Sequence, residues 1–508
     1  MLQCLSNLIF ERVRKTLKTL NNLKDYQNVI NGKAIPSSSG NKIDSYDPAT
    51  GKVWATIPCS TVEDVEATVT AARTALPSWS TLPASERANY LRRIGDMISQ
   101  YGDELAELET KDNGWVIRET KFGLIPILSS IWYDAAAAAT NVGSKGETVQ
   151  LGPNTVGFTI REPYGVVVGI IPWNSALWTF TVKAAAALAG GNTVIIKPSE
   201  LAAAAPLRYG EIIQSILPPG VLNVISGTGA EVGDALVRHP NVNKVSLTGS
   251  GKTAQAIAES TAQHPKSMVL ELGGKSPNIV FEDADLAKAA SGVTVNGIFT
   301  GNAGQLCVGG SRILIQRSVL DKMIALMKEE MATHIQLGNT LDMQTPMGPV
   351  ANEMQYKKVC SYIELGQQEG GEIIVGGRFG GANLLPGQDE LADGYWIEPT
   401  LLKVESNNLQ VCQEEIFGPV AVVIPFDTEE EALAIANDTE YGLGAGVWTS
   451  DLNRAHRMIR SIESGNVWVN TYRIVGTELP FGGQKASGFG TDSVLEFTRE
   501  KTCYIQIG

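Results

Sequence analysis

Cys307 and Glu271 stand out for the chemistry that their surroundings imply. Cys307 closes the string Gly304-Gln-Leu-Cys307, placed at what reads as the end of an apolar helix. A free thiol with a pKa of about 8.5 is only a few per cent thiolate at pH 7, so a nucleophilic cysteine has to be activated. Without activation it is a small buried apolar side chain. Glu271 lies in Met268-Val-Leu-Glu-Leu272, an apolar strand-like run with no packing use for a carboxylate. The other cysteines are Cys4, Cys59, Cys360, Cys412 and Cys503, and no two form a CxxC pair. Six cysteines in 508 residues do not make a disulfide framework. The four histidines, His239, His264, His334 and His456, fall into neither HxxxH nor HExxH spacing, so no metal centre is expected.

Two glycine strings imitate known phosphate loops. Gly249-Ser-Gly-Lys-Thr253 resembles the end of a P-loop, but the position that must be glycine, five before the Gly-Lys pair, is Ser246. Gly227-Thr-Gly-Ala-Glu-Val-Gly233 has a last spacing one residue too long for the dinucleotide fingerprint. Each is also explained by a tight strand-to-helix turn.

The elements that must position these residues follow from apolar periodicity. Thr61 to Trp79 reads as a capped helix, Pro83 to Tyr101 as a second, and Trp115 to about Asn141 as a third. The middle of the chain alternates strand and helix. Val166–Ile171, Asn192–Lys197, Val221–Ile225 and Lys244–Thr248 are the strands; Ala176–Leu188, Leu207–Leu217, Glu231–Arg238 and Lys252–Thr261 are the helices. Right-handed crossovers make this an α/β fold with a doubly wound, Rossmann-type sheet, whose ligands bind at the carboxyl ends of its strands. A second α/β stretch starts near Pro277, with strands at 278–281, 312–315, 420–425 and 466–469 and helices at 285–304 and 319–335.

Composition limits the function classes. The net charge is −13, which argues against a general affinity for nucleic acid or anionic membrane. Hydrophobic residues are 43 % and charged residues 19 %, enough for large cores. No run reaches about 18 uninterrupted apolar residues, so no membrane span is expected. Residues 1–24 carry five basic side chains against one acid, the character of a transit peptide, though poorer in Ser and Arg than most. A cytoplasmic location is expected, with an organellar matrix as the alternative.

The whole constellation is more telling than any one string. Pro172-Trp-Asn174, Leu270-Glu-Leu-Gly-Gly274, Gly304-Gln-Leu-Cys307, Glu414-Glu-Ile-Phe-Gly-Pro419 and Leu479-Pro-Phe-Gly-Gly483 occur in this order. Together they resemble the NAD(P)-dependent aldehyde dehydrogenase superfamily from about Asn28 to Thr502, in its hydrolytic, non-acylating form, with betaine- and amino-aldehyde types among the candidates. The resemblance implies that Cys307 is the nucleophile, that Asn174 and the Cys307 amide stabilise the thiohemiacetal oxygen, and that Glu271 activates water. It implies a positioning role for Lys183. For NAD, which is favoured over NADP because Glu200 would repel a 2′-phosphate, it implies contacts from Pro172, Trp173, Lys197, Ser199, Glu200, Gly229, Gly233, Gly249, Ser250, Leu272, Glu415 and Phe417. Asp492 stands where the family has a second acid.

Three further expectations concern departures, substrate and assembly. Glu271 and Cys307 are 36 residues apart, about two more than the family pattern. Gly301-Asn302 would hold part of the insertion and could disturb the thiol. Trp178, Phe180, Tyr472 and Phe481 would wall the mouth for a small-molecule aldehyde, and Arg473 suggests an anionic or polar tail. The division expected is an N-terminal extension (1–27), an NAD-binding domain (28–145 and 165–274), a catalytic domain (275–480) and oligomerisation segments (146–164 and 481–508) that form a dimer or tetramer. Glu271 favours hydrolysis over acyl transfer to coenzyme A. Intact Cys307, Glu271 and Asn174 argue against a non-catalytic binding homologue.

Overall fold

The computed structural model describes residues 23–141, 145–476 and 479–507. Most of the expected N-terminal extension lies outside these residues. Its last part does not: Lys24 and Asp25 pair in parallel with Ala55 and Thr56, and Tyr26 is buried, so the folded body starts before Asn28.

The first half is built on an eight-stranded sheet. Its five central strands run parallel in the order Ser267–Glu271, Lys244–Thr248, Val166–Ile171, Thr193–Pro198 and Leu222–Val224. These are the runs of Val, Ile and Leu that a strand covered on both faces requires. Asn28–Ile30 and Lys33–Ile35 extend one edge as an antiparallel hairpin. The other edge is closed by Gly488–Phe489, antiparallel to Leu270 and Glu271. That corrects the expectation that residues 481–508 form one oligomerisation segment: 484–489 return to pair with Tyr441–Gly442 and with the edge of the first sheet, and Thr498–Gln506 pairs with the separate hairpin strand.

The second half is a seven-stranded sheet, with Pro277–Val280, Arg312–Gln316, Val420–Phe426 and Asn466–Val469 where the sequence places them. Thr400–Lys403 and Gly444–Trp448 complete its parallel part and were not anticipated. The expected helix over 285–304 is only Leu286–Val293. The chain then runs in turns to Cys307, because Gly297, Gly301 and left-handed Ala303 and Gly304 break the helical ladder. Helix Gly102–Asn113, absent from the sequence reading, ends at left-handed Gly114.

The helical run Ile117–Asn141 is long and apolar enough to cross a membrane. Its apolar face, with Leu128, Trp132, Ala136 and Ala139, is instead packed into the core of the first half. A π-turn at Thr120–Leu124 interrupts it. The segment 148–163 forms the hairpin Thr148–Gly152/Thr155–Pro163, which pairs along its second strand with Thr498–Gln506.

Candidate active site

Glu271 is the last residue of its strand, and Asn174 follows Val166–Ile171 by three residues, so both stand at the carboxyl end of the first sheet. The Asn174 side-chain amide donates to the carbonyl of Gln305 at 2.8 Å, two residues before Cys307. Among the described residues the second amide hydrogen has no acceptor. The Asn174 carbonyl is held from the same loop by Asn302 Nδ2 at 2.7 Å. Gln305 in turn accepts from the Ala351 amide, and Asn302 and Gln305 are fully buried. Gly301, the other residue of the suspected insertion, donates its amide to Glu119. Asn302 therefore braces Asn174 against the thiol loop, and Gly301 ties that loop to Glu119.

The glycine pairs of the motifs are close-approach points. A Cβ on Gly274 would meet the Cys307 carbonyl at 2.6 Å, and one on Gly273 would meet the Glu415 carboxylate at 2.4 Å. Only glycine lets the strand that carries Glu271 lie this close to the thiol loop. Gly482, from Leu479-Pro-Phe-Gly-Gly483, leaves room for the Glu271 carboxylate, which a Cβ there would reach at 3.3 Å.

Glu271 is 7 % exposed, and neither carboxylate oxygen has a partner among the described residues. Burial pushes its pKa up to about 8, the negative charge of Asp492 adds to the rise, and Lys183 opposes it. Behind it lies a buried network. Lys183 Nζ contacts Asp492 Oδ2 at 2.7 Å and Ser246 Oγ at 2.7 Å, and Ser246 donates to Asp492 at 2.6 Å. Lys183 is thus fixed by Asp492 and Ser246 within the field of Glu271. In the sequence Ser246 serves only to exclude a P-loop; nothing in its strand marks it as polar by need. Burial, with Glu271 and Glu415 nearby, pushes the Cys307 thiol up to about 12.

The groove along the same strand ends carries the other expected residues. Lys197 Nζ pairs with Glu200 at 3.0 Å, and Glu200 also accepts from the Gly229 amide. Gly229, Gly233 and Gly251 face open space, so a side chain at any of them would project into the groove. Ser250 caps the helix Gly251–Thr261, and Gly249 bonds to the Glu271 carbonyl. The Ser199 amide donates to the Ile171 carbonyl just before Pro172. Leu272 is buried with its amide on the Ser487 carbonyl; Ser487, from the returning segment, also donates to the Gly273 carbonyl. Glu415 accepts from the Gly274 amide. Left-handed Phe417 meets the Trp173 ring edge-on at 5.4 Å.

The aromatic wall is only partly as expected. Trp178 and Phe481 stand edge to face at 6.3 Å. Phe180 is instead fully buried against Tyr209 in the helix layer. Tyr472 is 6 % exposed and its hydroxyl donates to the Val308 carbonyl, so it props the residue after Cys307 from behind.

A sequence profile of the aldehyde dehydrogenase family matches residues 35–506. The chain belongs to the aldehyde dehydrogenase family. It is 42 % identical over 475 residues to an acetaldehyde dehydrogenase of Pseudomonas aeruginosa, covering 92 % of this chain and 91 % of that one. It is 39 % identical to the 2-aminomuconic semialdehyde dehydrogenase of Bos taurus, covering 94 % and 98 %. Among solved structures, PnpE of Pseudomonas sp. WBC-3, in complex with nicotinamide adenine dinucleotide, superposes with a TM-score of 0.90 at 36 % identity, covering 95 % and 98 %. The protein is thus an oxidoreductase acting on aldehydes, with the three-part α/β architecture of its family.

Proposed function

We propose that Cys307, Asn174 and Glu271 oxidise an aldehyde to its acid in two stages, with NAD as coenzyme. The observation that carries this reading is the convergence of three groups. They are a thiol, a half-used side-chain amide, and a buried carboxylate with no partner among the described residues. Cys307 gives its thiol proton to water, and the Sγ thiolate adds to the carbonyl carbon. The resulting oxyanion meets the second Asn174 amide hydrogen and the Cys307 backbone N–H; such a donor is worth about 10²- to 10³-fold in rate. When bound, the nicotinamide coenzyme supplies the hydride acceptor. The thioester left on Cys307 is then hydrolysed by water that gives its proton to Glu271.

The groove fits such a coenzyme. Glu200, fixed by Lys197 and the Gly229 amide, can accept from a free ribose 2′-hydroxyl, which favours NAD over NADP. Gly229 and Gly233 leave space for the pyrophosphate, and Gly249 and Ser250 lead into the helix Gly251–Thr261, whose N-terminal end favours an anion. Glu415 would hold the second ribose, with Pro172, Trp173, Phe417, Ser199 and Leu272 around it. In the same reading the first sheet binds coenzyme, the second carries the thiol, and the three-stranded sheet of 148–163 and 498–506 joins subunits.

Glu271→Gln tests the division of labour. NADH should appear as a burst of about one equivalent per active site, followed by turnover slowed about 10²- to 10⁴-fold. A burst slowed by the same factor would mean that Glu271 also takes the thiol proton. A fast steady state with no burst would remove Glu271 as the base.

A further inference from the structure

The cations around the cleft are nearly all satisfied. Lys183 has Asp492 at 2.7 Å, Lys197 has Glu200 at 3.0 Å, and Lys275 and Lys358 donate to the carbonyls of Glu414 and Glu415. Arg473 differs. Its side chain makes no hydrogen bond or salt bridge among the described residues, although burial draws its pKa down. The acid that acts on it is Glu119, and both oxygens of Glu119 are already engaged. Oε2 accepts the Trp115 indole N–H at 2.7 Å, and Oε1 accepts the Gly301 amide at 3.0 Å.

The position of Arg473 is as telling as its lack of a partner. It follows Tyr472, whose hydroxyl is fixed to the Val308 carbonyl, next to the thiol. Glu119 ties the same corner to Gly301, on the loop that leads to Cys307. Arg473 itself is held at φ +59°, a left-handed conformation that a residue with a side chain adopts only under constraint. A partly dehydrated guanidinium on a residue of strained backbone beside the thiol loop, within the field of Glu119 but not hydrogen-bonded to it, leaves its donors available to a ligand.

We propose that Arg473 is an anion subsite for the substrate's tail, and that the aldehyde oxidised carries a carboxylate remote from its carbonyl. The planar guanidinium fork matches a carboxylate, whereas a trimethylammonium tail would be repelled. The inference rests on Cys307 as the reacting thiol. The reaction is unchanged in its balance: the aldehyde hydrogen leaves as hydride to NAD, water supplies the new oxygen, and the product is a dicarboxylate.

The test compares kcat/KM for butanal, succinic semialdehyde and betaine aldehyde, with longer ω-carboxy aldehydes to allow for tail length. The intact enzyme should favour a carboxy aldehyde over the neutral aldehyde of equal length by about 10- to 100-fold, the worth of a charge-assisted pair. Arg473→Ala should bring that ratio close to one, Arg473→Lys should keep part of it, and Arg473→Glu should shift preference toward betaine aldehyde. Equal kcat/KM for neutral and carboxy aldehydes in the intact enzyme would overturn the proposal. So would a preference that survives Arg473→Ala, or an equal loss on all three substrates, which would make Arg473 a loop brace. The Cys307 reading fails separately, if Cys307→Ala still oxidises butanal.

Discussion

At the residue scale, the environment of Glu271 makes a signed prediction about pH. A base acts only when ionised, so a carboxyl raised to about 8 puts the acid limb of the deacylation rate near pH 8. Asp492 adds to the rise and Lys183 opposes it. Asp492→Asn should therefore move the acid limb to lower pH, and Lys183→Met should move it higher. Steady-state kcat against pH in the three proteins checks this; shifts of the same sign would show that the pair acts on folding alone. The reacting residues were legible because a carboxylate in an apolar strand, and a cysteine after Gly304-Gln305, are unusual at the level of type. Ser246 and Asn302 were not, since a small polar residue looks alike whether it faces water, a turn or a buried network.

At the element scale, helix Gly102–Asn113 explains how the cleft keeps its shape. Its buried Glu109 faces the amides that start helix Ala176–Ala189, directly after Asn174, and accepts from Asn113 Nδ2. One turn on, Asp112 accepts from the Ala205 amide at the start of the next helix and from Ser45. Both carboxyls have polar partners, yet burial dominates and raises them to about 8 and about 7. For Glu109 the sign runs against the usual carboxylate. The folded state holds its proton up to about pH 8 while the unfolded chain loses it near 4.5, so stability falls as pH rises between those values. Glu109→Gln mimics the protonated form and should lose less stability than the parent over that window. Urea midpoints at pH 6 and pH 8.5 measure it; a parent as stable at both, relative to the variant, would contradict it. The periodic helices and continuous strands were readable from the pattern of side chains. This helix was not, because its buried face is made of Gly102, Leu105, Ala106, Leu108, Glu109, Thr110, Asp112 and Asn113, half of it polar. The loop before Cys307 was misread as helix for the converse reason, an apolar composition with glycine breaks.

At the scale of the whole molecule, the three-stranded sheet of 148–163 and 498–506 keeps two outer edges that no other described strand pairs, and it exposes Val149, Leu151, Tyr504 and Ile505. Such an edge invites a second chain. A dimer or tetramer by light scattering at micromolar concentration is the expected result, with Leu151→Lys and Tyr504→Lys shifting it toward monomer. A parent that scatters as a monomer would contradict the assignment. The returning segment has a different bearing, on biosynthesis. Gly488 and Phe489 close a sheet whose other strands are made of residues 28–271, and Ser487 bonds to Gly273. A ribosome that has finished the first half has therefore exposed a sheet with an open margin next to Glu271, and some two hundred further residues must emerge before that margin is covered. Vectorial synthesis leaves the nascent first half unsealed for most of translation, a natural point for chaperone capture. Arrested chains ending near residue 480 should be cleaved by protease much faster than those extended past residue 506.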